Sequence, residues 1–291
     1  MSDDRSIPRH WRAVQDHSRE WRRFRFVYPV ISRRSGGLSI GINLNPDRRC
    51  NFDCVYCEVD RNAPIRATAP DPAVIRAELT VVIRSALTGW LAMDERFQDT
   101  PALTRRIRDL AFSGDGEPTL LPDFSTYAAL VADVRREEEL DDTRLVLITN
   151  AAGLDKADVK RGLEILDANH GEIWAKLDAG TEDYYRLVNR SHVRFERILR
   201  NLRETACRHP LIIQSLFLKT HGASMPEAEL AAYCDRLEEI TAGGGQIREV
   251  HAYTIARPTP EPWATRLEPD ELAAIAARIR ERTGLTVREF C

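Results

Sequence analysis

No stretch of this 291-residue chain approaches the roughly 20 consecutive apolar residues of a bilayer-spanning helix, so none is expected. The opening MSDDRSIPRH has no apolar region behind a basic one, so no secretory signal is read and a cytoplasmic protein is expected. Internal repeats, low-complexity tracts and linkers are absent too. The seven histidines are scattered, without metal-ligand spacing. Of six cysteines, three crowd into eight residues, and Cys207, Cys234 and Cys291 stand apart. That is a poor disulfide framework; clustered cysteines in a reducing compartment point to metal or catalysis. A net charge of −3 carries no overall bias toward nucleic acid. Charge is nonetheless uneven, since residues 1–50 carry 11 Arg against 5 Asp and Glu.

What is present is a strand followed by a helix, six times. Apolar runs at Leu38–Leu44, Arg108–Ser113, Leu145–Thr149, Glu172–Asp178, Leu211–Phe217 and Ile247–Ile255 read as strands. Helices are expected from Asp71-Pro72 (an N-cap with Pro at the first helical position), over Pro122–Glu138, over Lys156–Ala168 and over Pro269–Arg282. One long helical stretch is expected from Glu182 to Cys207, and another helix behind a Ser224-x-x-Glu227 capping box, ending at Gly243–Gly245. Such alternation predicts an α/β fold with a parallel sheet, and six units suit a partial (β/α)6 TIM-like barrel. Residues 1–37 read as a basic N-terminal extension, 38–291 as the core domain with its C-terminal helix and tail, and 60–70 and 257–268 as loops.

Directly after the first strand comes Cys50-Asn-Phe-Asp-Cys54-Val-Tyr-Cys57. Three thiolates on one loop can hold three irons of a [4Fe–4S] cube and leave the fourth open to a small molecule. A zinc site completed by a distant ligand, or a fourth cysteine closing an electron-transfer cluster, uses the same residues. Zinc more often takes two CxxC-type pairs.

This CxxxCxxC with an aromatic, Tyr56, before its last cysteine resembles the signature of the radical S-adenosylmethionine (SAM) superfamily. The resemblance implies the partial barrel above, one [4Fe–4S] cluster on Cys50, Cys54 and Cys57, and SAM on the open iron. It also implies that SAM is cleaved to a 5′-deoxyadenosyl radical that abstracts hydrogen from a substrate. In barrels reactive groups sit at the C-terminal ends of strands. After the second strand, Gly114-Asp115-Gly116-Glu117 resembles the family's Gly-Gly-Glu motif for the SAM amino group, with Asp115 between the glycines. Thr149-Asn150 after the third strand and Lys176 and Asp178 after the fourth resemble positions that contact the SAM ribose and carboxylate. By strand alternation Lys176 and Asp178 share a face, opposite Leu177. Gln214 and Ser215 in the fifth strand are similar candidates. Arg257, beyond the sixth, suits a carboxylate or phosphate.

Residues 38–60 and 113–120 look closest to predicted Fe–S oxidoreductases related to wyosine-forming tRNA enzymes. Those carry a second cysteine set; this chain has none before residue 50, which implies a single cluster. The implied partners are an electron donor of flavodoxin or ferredoxin type and an unidentified substrate, RNA or a partner protein among the options. Trp21, Arg22, Arg23, Phe24 and Arg25 mix aromatics with arginine as nucleic-acid surfaces do. A glycyl-radical-enzyme activase and an RNA-modifying enzyme are alternative readings. Outside catalysis, an Fe–S electron carrier or a zinc-binding module competes.

Overall fold

A computed structural model describes residues 7, 11–16, 19, 21–61, 65, 69–101 and 105–291. In chain order the elements are α1 (Arg12–Gln15), β1 (Val27–Ser32), β2 (Gly37–Ile42), α2 (Pro72–Leu87), β3 (Ile107–Phe112), α3 (Phe124–Glu137), β4 (Arg144–Thr149) and α4 (Ala157–Asp167). There follow β5 (Gly171–Lys176), α5 (Glu182–Asn189), α6 (Phe195–Ala206), β6 (Leu211–Leu216), β7 (Leu218–Thr220), α7 (Glu227–Ala242), β8 (Ile247–Tyr253), β9 (Ala264–Arg266), α8 (Pro269–Thr283) and β10 (Val287–Phe290). All six expected strands are present, as β2, β3, β4, β5, β6 and β8, each followed by helix. The chain divides into two compact units.

The first unit comprises residues 1–49, 64–147 and 161–171. Within the stretch read as an extension, β1 pairs antiparallel with β2, Val27 facing Ile42. Parallel pairing then runs from β2 to β3 and from β3 to β4. Both faces of these strands are covered, which is why they read as near-continuous apolar runs. Ile40, Leu110, Phe112, Leu145 and Val146 are fully or almost fully buried. Helix α2 starts as expected: Asp71 accepts from the backbone N–H of Ala73 at 2.9 Å and of Val74 at 3.3 Å. Its Ile75, Leu79, Val82 and Ile83 form the buried stripe.

Trp21 does not offer a stacking surface. It is fully buried, its Nε1 donates to Asp94 at 2.9 Å, and Phe24 packs edge-on against its ring. The aromatics in this basic segment pack the first unit, while Arg22, Arg23 and Arg25 stay exposed.

The second unit comprises residues 50–63, 148–160 and 172–291. Parallel pairing runs β5 to β6, β6 to β8 and β8 to β10, so the C-terminal tail adds an edge strand. Strands β7 and β9 form a small antiparallel ribbon, which places β9 inside the expected loop 257–268. The other expected loop, 60–70, is only partly within the described residues.

Two helix expectations fail. The stretch Glu182–Cys207 is two helices, because Arg190 turns left-handed at φ 46° and ends α5. Ser224 does not cap α7; its Oγ donates to Glu271 at 3.1 Å, and Pro226 stands at the cap position. The reciprocal capping box belongs to α8, between Glu268 and Glu271.

Candidate functional site

In the second unit the cysteine loop is held from inside by apolar anchors. Phe52, Val55 and Tyr56 are buried, whereas all three cysteines are half-exposed. Phe52 packs edge-on against Tyr185, which stacks on Phe195 across the α5–α6 break. The last carbonyls of a helix lack intrahelical partners. At the end of α5 two of them are used on the loop: Asn189 O accepts from Asp53 N and Val188 O from Val55 N, both at 3.0 Å. Ser191 Oγ donates to Asn51 O at 2.8 Å, and Arg61 Nη2 donates to Phe52 O at 2.7 Å. The cysteine loop is therefore bonded into the fold at four backbone points.

N–H groups also approach the sulfurs. Cys50 Sγ lies 3.4 Å from Phe52 N and 3.8 Å from Asn150 Nδ2. Cys54 Sγ lies 3.5 Å from Asn189 Nδ2. Burial pushes the Cys54 thiol up to about 12, with Lys176 opposing the shift and Asp178 adding to it. A thiol held protonated in this way becomes a thiolate when a metal displaces its proton.

Beneath the loop, Asp178 gathers the polar groups. It accepts from the Tyr56 hydroxyl, from Asn189 Nδ2 at 2.9 Å and from Leu216 N at 2.9 Å. Lys176 Nζ stands 3.4 Å from its Oδ1, as expected of residues sharing a strand face. The ammonium donates to the Tyr253 hydroxyl at 2.7 Å and lies about 5 Å from the ring centroids of Tyr56 and Tyr253. Burial works against its charge, but Asp178, then Tyr253 and Cys54, overcome that and raise its pKa. Tyr56 is held un-ionised by burial and by Asp178. Asn150, at the end of β4, donates to Asn51 Oδ1 at 2.6 Å and so stands beside the cysteine loop.

Ser215 is placed elsewhere. Its Oγ donates to Leu177 O at 2.7 Å and meets the Tyr233 hydroxyl of α7 at 2.6 Å, on the helix side of β6. Gln214, on the opposite strand face, lies 2.6 Å from His251 Nδ1. Arg257 pairs with Glu58, the residue after Cys57, and lines an open cavity of about 390 Å³ with Thr259 and Arg266. Cys234 is buried and Cys207 exposed.

The glycine motif lies in the first unit. A Cβ on Gly114 would stand 2.5 Å from Asn43 Oδ1, and one on Gly116 only 2.1 Å from Arg49 O. Glycine is thus required where Glu117 N donates to Arg49 O at 3.0 Å, one residue before Cys50. The Glu117 carboxylate is buried and accepts from Thr119 N at 3.1 Å and Thr119 Oγ1 at 2.6 Å. Asp115, between the glycines, accepts from Asn43 Nδ2 at 2.7 Å and pairs with Arg19 at 3.0 Å.

These features suit a cubane. Its irons are separate corners, each taking one thiolate, and N–H donors to the sulfurs are among the groups that tune such clusters. Comparison with known proteins decides the family. A family model of the radical SAM superfamily matches residues 44–208, more than half of the chain. The chain belongs to the radical SAM superfamily. That family uses a [4Fe–4S] cluster and SAM, and its three cysteines are present here as Cys50, Cys54 and Cys57.

Among solved structures, a radical SAM methyltransferase from Sphaerobacter thermophilus superposes with a TM-score of 0.62 at 12% identity, over 91% of this chain and 68% of that one. An archaeal TYW1 gives 0.50 at 13% identity, over 84% and 72%. These establish the fold, a partial α/β barrel of the radical SAM type. Among curated relatives, a protein named GTPase Obg from Brachyspira hyodysenteriae is 24% identical over 60% of this chain and 22% of its own length. A UPF0026 protein of Methanocaldococcus jannaschii is 30% identical over 56% of this chain and 43% of its own. The chain thus spans less than half the length of these relatives.

Asn189, Ser191, Arg61 and Tyr253 were not among the residues the sequence singled out. Asn189 sits where one continuous helix was expected, so nothing marked it. Tyr253 lies in a predicted strand, and only the register shows that it meets Lys176.

Proposed function

We propose that this radical SAM protein holds one cluster on Cys50, Cys54 and Cys57 and abstracts hydrogen from a substrate that remains to be identified. The observation that carries the proposal is the cysteine loop bonded to the end of α5, with N–H groups on two of its sulfurs. When bound, the cluster supplies the electron that splits SAM into methionine and a 5′-deoxyadenosyl radical. The chain's residues hold and orient. Gly114 and Gly116 let backbone approach closely, and Glu117 provides an acidic group for the SAM amino group. Asn150 and Lys176, beside the loop, are assigned to the SAM ribose and carboxylate. Tyr56 and Asp178 hold the Lys176 ammonium in place. A flavodoxin- or ferredoxin-type protein would deliver the electron.

The test is anaerobic reconstitution followed by iron analysis and chromatography of the SAM products. About four irons per chain and dithionite-dependent release of 5′-deoxyadenosine and methionine are expected, both lost in Cys54→Ala. One zinc per chain with no cleavage of SAM would overturn the proposal. Deuterium passed from a candidate substrate into 5′-deoxyadenosine would identify the hydrogen that is removed.

A further inference from the structure

We propose that Asn189 is a positioning residue that sets the reduction potential of the cluster through a hydrogen bond from its side-chain amide to the Cys54 sulfur. This rests on the cluster assignment above.

Asn189 is the last residue of α5 and is 1% exposed. Its Nδ2 lies 3.5 Å from Cys54 Sγ, 2.9 Å from the Tyr56 hydroxyl oxygen and 2.9 Å from Asp178 Oδ2. Its own carbonyl accepts from Asp53 N, in the residue before Cys54. One residue therefore grips the cysteine from its backbone side and from its sulfur side. The left-handed turn at Arg190 stops the helix there and leaves that carbonyl free for the loop.

The side-chain amide has two N–H groups and three acceptors within reach, Asp178, the Tyr56 hydroxyl and Cys54, so the sulfur shares an N–H with one of the oxygens. The contact with Cys54 has a distinct electrostatic consequence. A cluster gains negative charge on reduction, and an N–H aimed at a ligating sulfur stabilises that charge. Burial keeps water from replacing the donor, so the dipole acts with little screening. Removing it disfavours the reduced form.

The experiment is an EPR-monitored redox titration of the reconstituted, full-length protein without SAM, comparing it with Asn189→Ala. The expected result is about four irons in both and a reduction equilibrium constant about five- to tenfold smaller in the variant. The upper figure corresponds to about 59 mV for one electron. Four irons with an unchanged potential would overturn the inference. Should the alanine variant not fold, an Asn150→Ala protein labelled with 15N at its asparagine side chains replaces it. Pulsed EPR of its reduced cluster should show a 15N coupling from Asn189, and no coupling would overturn the inference. An unsubstituted protein that takes up no cluster would instead overturn the functional reading, and this one with it.

Discussion

Asp178→Ala probes the polar centre beneath the cysteine loop most directly. The carboxylate is 1% exposed and accepts three hydrogen bonds, from Tyr56, Asn189 and Leu216 N. Hydrogen bonds to a charged group contribute about 1.5–3 kcal/mol each, though three on one carboxylate do not add fully. Removal also strands Lys176, whose side chain is 16% exposed, without its counter-ion. Breaking a buried pair from one side costs about 3–5 kcal/mol. Because the lysine can shed its proton, the lower part of that range applies, about 3 kcal/mol at neutral pH. Urea unfolding of the apoprotein under reductant measures this as a lower midpoint at unchanged slope.

The pH dependence has a definite sign. In the unsubstituted protein Lys176 has a pKa above its ordinary 10.5, so its contribution is intact below that value and is lost only as pH rises through the folded pKa. Without Asp178 the largest of the groups that raise the Lys176 pKa is gone while burial still lowers it, so the folded pKa falls, and the part of the variant's stability deficit that comes from protonated lysine declines as pH rises. The deficit of Asp178→Ala should therefore shrink between pH 7 and 10. A deficit below about 1 kcal/mol, or one that grows with pH, would refute the hub assignment.

Three further outcomes are expected. Gly180→Ala would set a Cβ 2.1 Å from the backbone N of Tyr233 in α7 and should destabilise the protein by about 3 kcal/mol in the same urea assay. Gly116→Ala, 2.1 Å from Arg49 O, should shift the backbone just ahead of Cys50 and lower iron content after reconstitution more than Gly36→Ala, whose Cβ meets nothing within 4 Å and whose strain, at φ 76°, is confined to a turn away from the cysteines. Glu249 is half-buried, which raises its pKa, but His251 and then Arg288 hold it below 4.5. Its contribution is present above 4.5 and lost as pH falls through the lower folded value, so Glu249→Gln should flatten the acid limb by about 0.5–1 kcal/mol in pH-resolved thermal unfolding.

The sequence by itself determined what depends on local covalent spacing. Three cysteines within eight residues put three thiols on one loop whatever the rest of the chain does. Apolar runs between helical stripes made six parallel strand–helix units legible, and Asp71-Pro72 announced a helix start that the structure keeps. Lys176 and Asp178 were legible as a pair because strand alternation puts alternate residues on one face.

Tertiary structure decided what spacing cannot encode. Ser215 and Gln214 are chemically alike in sequence, but register sends Ser215 to Tyr233 of α7 and Gln214 to His251. Trp21 looked like part of a basic binding surface until packing buried it against Phe24. The helix break at Arg190 carries no glycine or proline and is flanked by tertiary contacts, Phe195 stacking on Tyr185 and Ser191 reaching Asn51. That break turns an ordinary mid-helix asparagine into the residue that grips Cys54. The cysteine loop as a metal ligand set was thus readable from one short segment, whereas its N–H donors and the aspartate beneath it come from strands and helices brought together only by folding.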